Sequence, residues 1–363
     1  MFLSIKNLGK IAQAEIVIDA ITVIAGKNNT GKSTVGKSLF ALFNSFYDSD
    51  NRIAKERKTF IAESVRSVYR RSGSITLNHL IFTDLDEVTE PIIDLSSGET
   101  SEIDKLHEQI RKILEKYNDE YPIKDFDIDK LAVSVAHILG FSDDEILERI
   151  LKRTMIDEFN RQINNVYNPN SLAEITLTCK DGKVDVQIKR NIEFKATNSI
   201  RTNVEAIYID DPYIVDSFDG MLWGGRNYRE DHRHHLRELM AKRGTVVSVL
   251  EEMVADKRLE KVFEKLDSIC PGELVRRGSG MRTFVYTEEN QEEAINMSNV
   301  STGLKTFAII KTLLLNGSLQ EGGVLILDEP EIHLHPEWQL VFAELIVLIQ
   351  KEFDMRMFDI NLT

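Results

Sequence analysis

Eight residues, Gly26-Lys27-Asn28-Asn29-Thr30-Gly31-Lys32-Ser33, constrain this chain more than any other stretch in it. They fit G-x-x-x-x-G-K-[ST] in full. Before them runs Ile21-Thr22-Val23-Ile24-Ala25, apolar and β-branched, as a buried strand should be. After them Val35, Leu39, Leu42, Phe43 and Phe46 recur at helical spacing. Strand, glycine-rich loop and helix are the context this motif requires. Glycines at 26 and 31 let the backbone curl so that consecutive N–H groups face phosphate oxygens. A helix starting near Lys32 adds the positive end of its dipole. Lys32 is expected to reach the β- and γ-phosphates of a nucleoside triphosphate, and the Ser33 hydroxyl to ligate Mg²⁺. Thr34 follows them and completes the phosphate-binding candidates from Gly26 to Thr34.

A second motif is Val324-Leu325-Ile326-Leu327-Asp328-Glu329, four apolar strand residues ending in two carboxylates. Carboxylates at a buried strand end are unfavourable unless they hold a metal or a water. Asp328 is expected to bind Mg²⁺ through its water shell, and Glu329 to polarise an attacking water, with Lys32 as the other catalytic candidate. A third is Ser298-Asn299-Val300-Ser301-Thr302-Gly303-Leu304-Lys305, just before an apolar helix. Ser301 offers a hydroxyl and Gly303 a bare backbone N–H at a helix start, both suited to a γ-phosphate. A serine at a helix N-cap is also everyday structure, so this motif draws its meaning from its position one helix before Asp328.

Together the three motifs resemble the ABC-type ATPases, in their SMC/RecF branch. Val300-Ser301-Thr302-Gly303-Leu304 stands where that family has L-S-G-G-Q, departing from it at Val300, Thr302 and Leu304. The opening Leu3-Ser4-Ile5-Lys6-Asn7-Leu8-Gly9-Lys10-Ile11 looks like the first strand and turn of the same branch. The run Asp328-Glu329-Pro330-Glu331-Ile332-His333-Leu334-His335-Pro336 closely resembles the D-E-P-E-x-H-L-H-P of OLD-type and Septu PtuA-like ATPases of bacterial phage defence. The resemblance covers about the first 45 residues and the last 75. It implies ATP and Mg²⁺ as cofactors and a head-to-tail dimer, in which Ser301 and Gly303 act on the nucleotide of the other subunit. The family follows its last core strand with T-H-S, whose histidine contacts the γ-phosphate. The last histidine here is His335, which implies a natural chain that continues past Thr363 or a site with impaired turnover. The Q-loop glutamine of the family has no assignable counterpart.

The expected fold class is therefore α/β: a P-loop ABC-type ATPase head with a mainly helical insertion and an accessory antiparallel β region. The head is expected at 1–50 and 200–363, with a helical segment at about 226–270. The insert is expected at 51–199. Ile53, Phe60, Ile61, Val65 and Val68 form one apolar helical stripe there, and Ile103, Leu106, Ile110, Ile113 and Tyr117 another. Ser142 with Glu145 reads as a capping box. Hairpins are expected at 173–188, turning at Asp181-Gly182, and at 273–287, turning at Gly278-Ser279-Gly280. The helix Thr302–Asn316, the strand Met357–Leu362 and the helix Glu337–Phe353 complete the outline.

A net charge of −14 argues against a surface that coats nucleic acid or anionic membrane everywhere. No run approaches the roughly 18 apolar residues of a membrane span. Cys179 and Cys270 lack metal-ligand or disulfide spacing, which points to a reducing, cytoplasmic compartment. Local basic segments remain. Arg226 to Arg243 carries six Lys/Arg against three acids, and Asn51 to Arg71 seven against two. Each reads as a solvated helix face or as a contact for nucleic-acid phosphates. Three functions fit: an ATPase subunit that gates an effector such as a nuclease in antiphage defence, a RecF/SMC-like ATPase acting directly on DNA, or a non-catalytic ATP-binding scaffold that holds a partner protein.

Overall fold

The computed structural model describes residues 1–72, 91–92, 108–113, 125–180, 182–198, 200, 202–216, 229–242, 259–277, 283–288 and 293–362. The chain divides into two compact units, Met1–Tyr47 with Ile150–Thr363, and Asp48–Arg149.

The first unit opens with an antiparallel sheet. Its strands β1 (Phe2–Leu8), β2 (Ile11–Val17), β4 (Ala173–Cys179), β5 (Gly182–Lys189) and β6 (Glu193–Asn198) lie in the order β2-β1-β4-β5-β6. β4 and β5 are the expected first hairpin, although Asp181 of its turn lies outside the described residues. Sequence placed this hairpin with the insert ending at 199. The structure pairs β4 with β1, Ile175 opposite Ile5, so the hairpin joins the unit that carries the P-loop. The side-chain alternation explains the pairing. Leu3, Ile5, Ala173, Ile175, Val184 and Val186 are all buried, and a one-residue slip would turn them to the other face.

The second sheet is parallel, in the order β3 (Ile21–Gly26), β12 (Arg356–Leu362), β11 (Val324–Asp328), β7 (Ala206–Ile209). β7 and β11 are apolar and buried, as strands covered on both faces should be. β3 departs from expectation. It stands at the sheet edge beside β12 alone, with Ile21 37% and Val23 56% exposed. An apolar β-branched run shows strand propensity, but it does not distinguish an inner strand from an edge. α1 (Lys32–Phe46) leaves the P-loop and buries Val35, Leu39, Phe40 and Phe43. α5 (His232–Ala241), α6 (Thr302–Leu315) and α7 (Pro336–Phe353), with a helix at 259–267, share one apolar core with β7 and β11. In it Phe307 meets the edges of Trp338 and Phe342. The second hairpin forms from β8 (Glu273–Arg277) and β9 (Thr283–Thr287), with β10 (Ile295–Asn296) beside β9. Its turn at 278–280 lies outside the described residues.

The second unit is helical in its described part. It holds α2 (Ser49–Ser72), α3 (Asp125–Leu139) and the start of α4 (Asp143–Glu158). Ile53, Ile61, Val65 and Ile110 are buried; Phe60, from the same stripe as Ile61, is 39% exposed. The capping box is present: the Glu145 carboxylate accepts from the Ser142 backbone N–H at 2.9 Å, and Ser142 Oγ accepts from the Glu145 N–H at 3.3 Å. Ile103, Leu106 and Tyr117 lie outside the described residues, and nothing is described of the Val68 side chain. The architecture is α/β, a parallel sheet carrying the P-loop, with a helical unit and antiparallel β regions. Among the described residues, no helix is long and apolar enough to cross a membrane.

Candidate nucleotide site

The loop after β3 stands open to solvent. Lys27, Asn28, Asn29 and Thr30 are exposed, whereas Lys32 is buried at the head of α1. Gly31, the N-cap of that helix, has φ +102°, a region L side chains rarely adopt. A Cβ there would also stand 2.9 Å from Ile11 of β2, so the position excludes larger residues twice over. Thr30 donates to the Lys27 carbonyl at 2.9 Å and Lys10 reaches the Asn29 side chain, which fix the curl of the loop. The Lys32 ammonium donates to the carbonyls of Gly26 at 2.6 Å and Lys27 at 3.2 Å. Its charge is thus held inside the curl, where phosphate oxygens are far better acceptors than neutral carbonyls. Ser33 is half-buried one residue on, and Thr34 donates its backbone N–H to the Gly31 carbonyl.

Asp328 ends β11, separated from the P-loop strand by β12. Its Oδ2 accepts a hydrogen bond of 2.6 Å from the hydroxyl of Tyr208 on β7. Its Oδ1 is buried and has no hydrogen-bond partner among the described residues. A buried carboxylate oxygen left open is unfavourable in isolation and fits a cation or a cation-bound water. Ser33 and Asp328 are the residues that would hold Mg²⁺, which neutralises phosphate charge when bound. Glu329 follows in the left-handed region at φ +52°, ψ +44°, its N–H donating to the Ile360 carbonyl at 2.7 Å. For a non-glycine residue this conformation costs roughly 1–2 kcal/mol. Such strain is found where a side chain must be aimed, and here it turns the chain out of β11 into a short 3₁₀ turn, Pro330–His333.

Two residues that sequence reasoning passed over complete this corner. Tyr208 is almost wholly buried, and its ring stacks on the imidazole of His232 with centroids 4.3 Å apart. His232 Nδ1 lies 2.7 Å from Glu158, and Nε2 lies 3.0 Å from Asp210. Burial alone would push this imidazole down, but the carboxylates of Asp210 and Glu158 outweigh it and hold it at about 9. Burial likewise works to raise Asp210, and His232 and Arg233 outweigh it, bringing the carboxyl to about 2. A charged imidazolium is therefore clamped between two carboxylates behind the Tyr208 ring. The sequence did hold one signal: a tyrosine inside a fully buried strand must find a partner for its hydroxyl.

The motif at 298–305 packs against the turn that follows Glu329. Ser301 is the N-cap of α6 and is exposed, with no side-chain cap hydrogen bond. Thr302 donates to the Tyr213 hydroxyl at 2.9 Å. Lys305 is buried against Asp216 at 2.6 Å and sits 4.8 Å from the Tyr213 ring centroid. Gly303 is buried; a Cβ there would meet the His333 carbonyl at 3.0 Å and the Trp338 ring at 3.2 Å. Close packing of the turn after Glu329 accounts for a glycine at 303, a reason the sequence motif did not convey.

Where it is described, the basic segment at 226–243 turns Arg229, Arg233 and Lys242 to partners within the chain. Arg233 makes a forked contact to Asp210 at 3.0 and 2.7 Å, and Arg229 donates to the Asp157 carbonyl and Asn160. His235 and Lys242 both face Glu205. Arg226, Tyr228 and Arg243 lie outside the described residues. On α2, Arg57 pairs with Asp143 and Arg66 with Glu63, so the Arg52–Arg71 face is partly neutralised; nothing is described of the side chains of Tyr69, Arg70 and Arg71. His333 and His335 are exposed, and no metal-holding group of three His, Cys, Asp or Glu occurs among the described residues.

A family model described as the AAA ATPase domain matches residues 1–354. No curated protein matches the chain. Among solved structures it is similar to an SMC head bound to the C-terminal winged-helix domain of ScpA, at 10% identity and a TM-score of 0.42, covering 100% of this chain and 89% of that one. It is also similar to the SMC head domain from Thermotoga maritima, at 11% identity and a TM-score of 0.35, covering 100% and 88%.

Proposed function

This chain belongs to the AAA ATPase domain family, and from that premise we propose that it binds ATP with Mg²⁺, hydrolyses it, and dimerises around the nucleotide to gate an effector. The observation that carries the reading is a buried Lys32 inside the phosphate loop together with a half-buried Asp328 whose Oδ1 has no hydrogen-bond partner among the described residues. In this reading Gly26 to Thr34 cradle the phosphates, Lys32 and Ser33 meet the β- and γ-phosphates and the cation, and Glu329 orients the attacking water. Phosphoryl transfer asks little covalent chemistry of a protein, so positioning and charge neutralisation by these residues are what the chain must supply.

Ser301, exposed and not engaged in capping, is the group free to reach a nucleotide held by a second copy. The run Asp328-Glu329-Pro330-Glu331-Ile332-His333-Leu334-His335-Pro336 supports an antiphage-defence setting with a nuclease as the gated effector. The internal ion pairs of Arg229 with Asp231 and of Arg233 with Asp210 weigh against direct loading on DNA through these two residues.

Light scattering of the wild type and Glu329→Gln, with and without Mg²⁺-ATP, tests the reading. ATP-driven doubling of mass, more persistent in Glu329→Gln, is expected. A monomer mass under all conditions would remove the role of Ser301 across a dimer, and normal turnover by Glu329→Gln would remove the role of Glu329.

A further inference from the structure

The Asp328 carboxylate has two oxygens in different states, and one residue outside the assigned machinery sets that difference. Tyr208 donates to Oδ2 at 2.6 Å and leaves Oδ1 without a partner among the described residues. The donor comes from a neighbouring parallel strand, with Tyr208 beside Ile326 in register, so its reach to Asp328 is built into the sheet. The ring is held in turn. It lies 4.3 Å from His232 at an interplanar angle of 24°, and Phe40 of α1 closes on it at 6.4 Å. His232 is gripped by Glu158 through both its backbone N–H, at 2.9 Å, and its Nδ1, at 2.7 Å. Asp210 stands on its other ring nitrogen at 3.0 Å.

We propose that Tyr208 is a positioning residue for the cation site: by occupying Oδ2 it fixes the Asp328 carboxylate so that Oδ1 faces the cation shell, and His232, clamped by Glu158 and Asp210, fixes Tyr208. The inference rests on the reading of Asp328 as a cation ligand. A phenol suits the task because it donates one directional hydrogen bond without bringing a charge that would compete with the cation. A carboxylate lacking this bond is free to rotate, and the open oxygen then spends less time in the useful orientation.

The test uses the full chain and measures the affinity for ATP in EDTA and in Mg²⁺, so that the gain from the cation is read as a ratio. Wild type is expected to show such a gain, and Lys32→Ala to lose binding in both media. Tyr208→Phe keeps the stacked ring; it is expected to bind like wild type in EDTA and to lose about tenfold of the gain, the range of a hydrogen bond to a charged acceptor. Asp328→Asn should abolish the gain, and adding Tyr208→Phe to it should remove nothing further, because the two act as one unit. A merely structural tyrosine would weaken binding equally in both media, and that result would overturn the inference, as would a full gain in Tyr208→Phe. Should Tyr208→Phe fail to fold, His232→Gln decides. A gain reduced about threefold supports the relay, and an undiminished gain overturns it. A wild type that binds ATP without any gain from Mg²⁺ would overturn the cation site, and the inference with it.

Discussion

The corner around Asp328 and the corner around Ser301 solve opposite problems. At the first, the key charges are answered within the chain: Lys32 by two carbonyls, His232 by two carboxylates, Asp328 by Tyr208, with one carboxylate oxygen left without a hydrogen bond among the described residues. At the second, the support is buried, with Lys305 against Asp216, but the hydroxyl that would do chemistry is exposed and not used in capping. The first corner satisfies its charges from within the chain. The second leaves its serine hydroxyl exposed. In the proposed shared-nucleotide dimer the first would hold the nucleotide and the second would reach one held by another copy, and the comparison is testable from either end.

The largest effect should come from Lys32→Ala, which removes the buried ammonium from the loop. Nucleotide affinity by calorimetry should fall by ~100-fold or more, as for loss of a charge-assisted contact to phosphate, with thermal stability little changed. If affinity were kept, the first corner would not be the nucleotide site. Next is Asp216→Ala, which strands the buried Lys305 and should destabilise the fold by about 3 kcal/mol in denaturant unfolding. Lys305→Met, of similar volume, should be much milder, because it removes the charge along with its need for a partner.

A pH effect should belong to the first corner alone. The His232 imidazole is raised, so its contribution is complete below the ordinary histidine range and is lost as pH climbs through about 9. Asp210 is depressed to about 2, so its contribution holds above the usual carboxylate range and fades only as pH falls toward that value. Unfolding free energy should therefore decline by ~2 kcal/mol between about pH 6.5 and 9, and His232→Gln should flatten that slope. An unaltered slope in the variant would place the titration elsewhere. The smallest effect is expected of Ser301→Ala: within about 0.5 kcal/mol in stability, since no cap hydrogen bond is lost, and no change in the affinity of a monomer for ATP. Only the ATP-driven mass increase should suffer, which would set the second corner cleanly apart from the first.

Much of this was legible in the sequence where the signal is local. The P-loop spacing located a strand, a loop and a helix, and the structure has β3, residues 27–31 and α1 there. The four apolar residues before Asp328 located β11, and Ser142 with Glu145 located the start of α4, because a capping box spans only one turn. What was not legible is long-range. Tyr208 meets Asp328 across 120 positions, and His232 meets Glu158 across 74, so no periodicity within either segment encodes them. The fate of β4 was hidden for the same reason: an alternating strand announces its apolar face but not the strand it will lie beside. The internal partners of the basic run at 229–242 were hidden for the same reason, since counting charges in one segment cannot reveal acids folded against it from another.

The order of the parallel sheet carries a consequence for how the head is made. The P-loop strand β3 and the Asp328 strand β11 are joined only through β12, where Met357 pairs with Ile21 some three hundred positions away. Closing so long a loop is entropically slow, and its reward arrives only when the final pairing forms. On the proposed reading, a ribosome that has released β3, α1 and even β11 should not yet have made a nucleotide pocket, because β3 and β11 are joined through β12. Binding of nucleotide then reports the arrival of that strand, and a nascent chain stalled before residue 356 should stay blind to ATP while its antiparallel sheet is already paired.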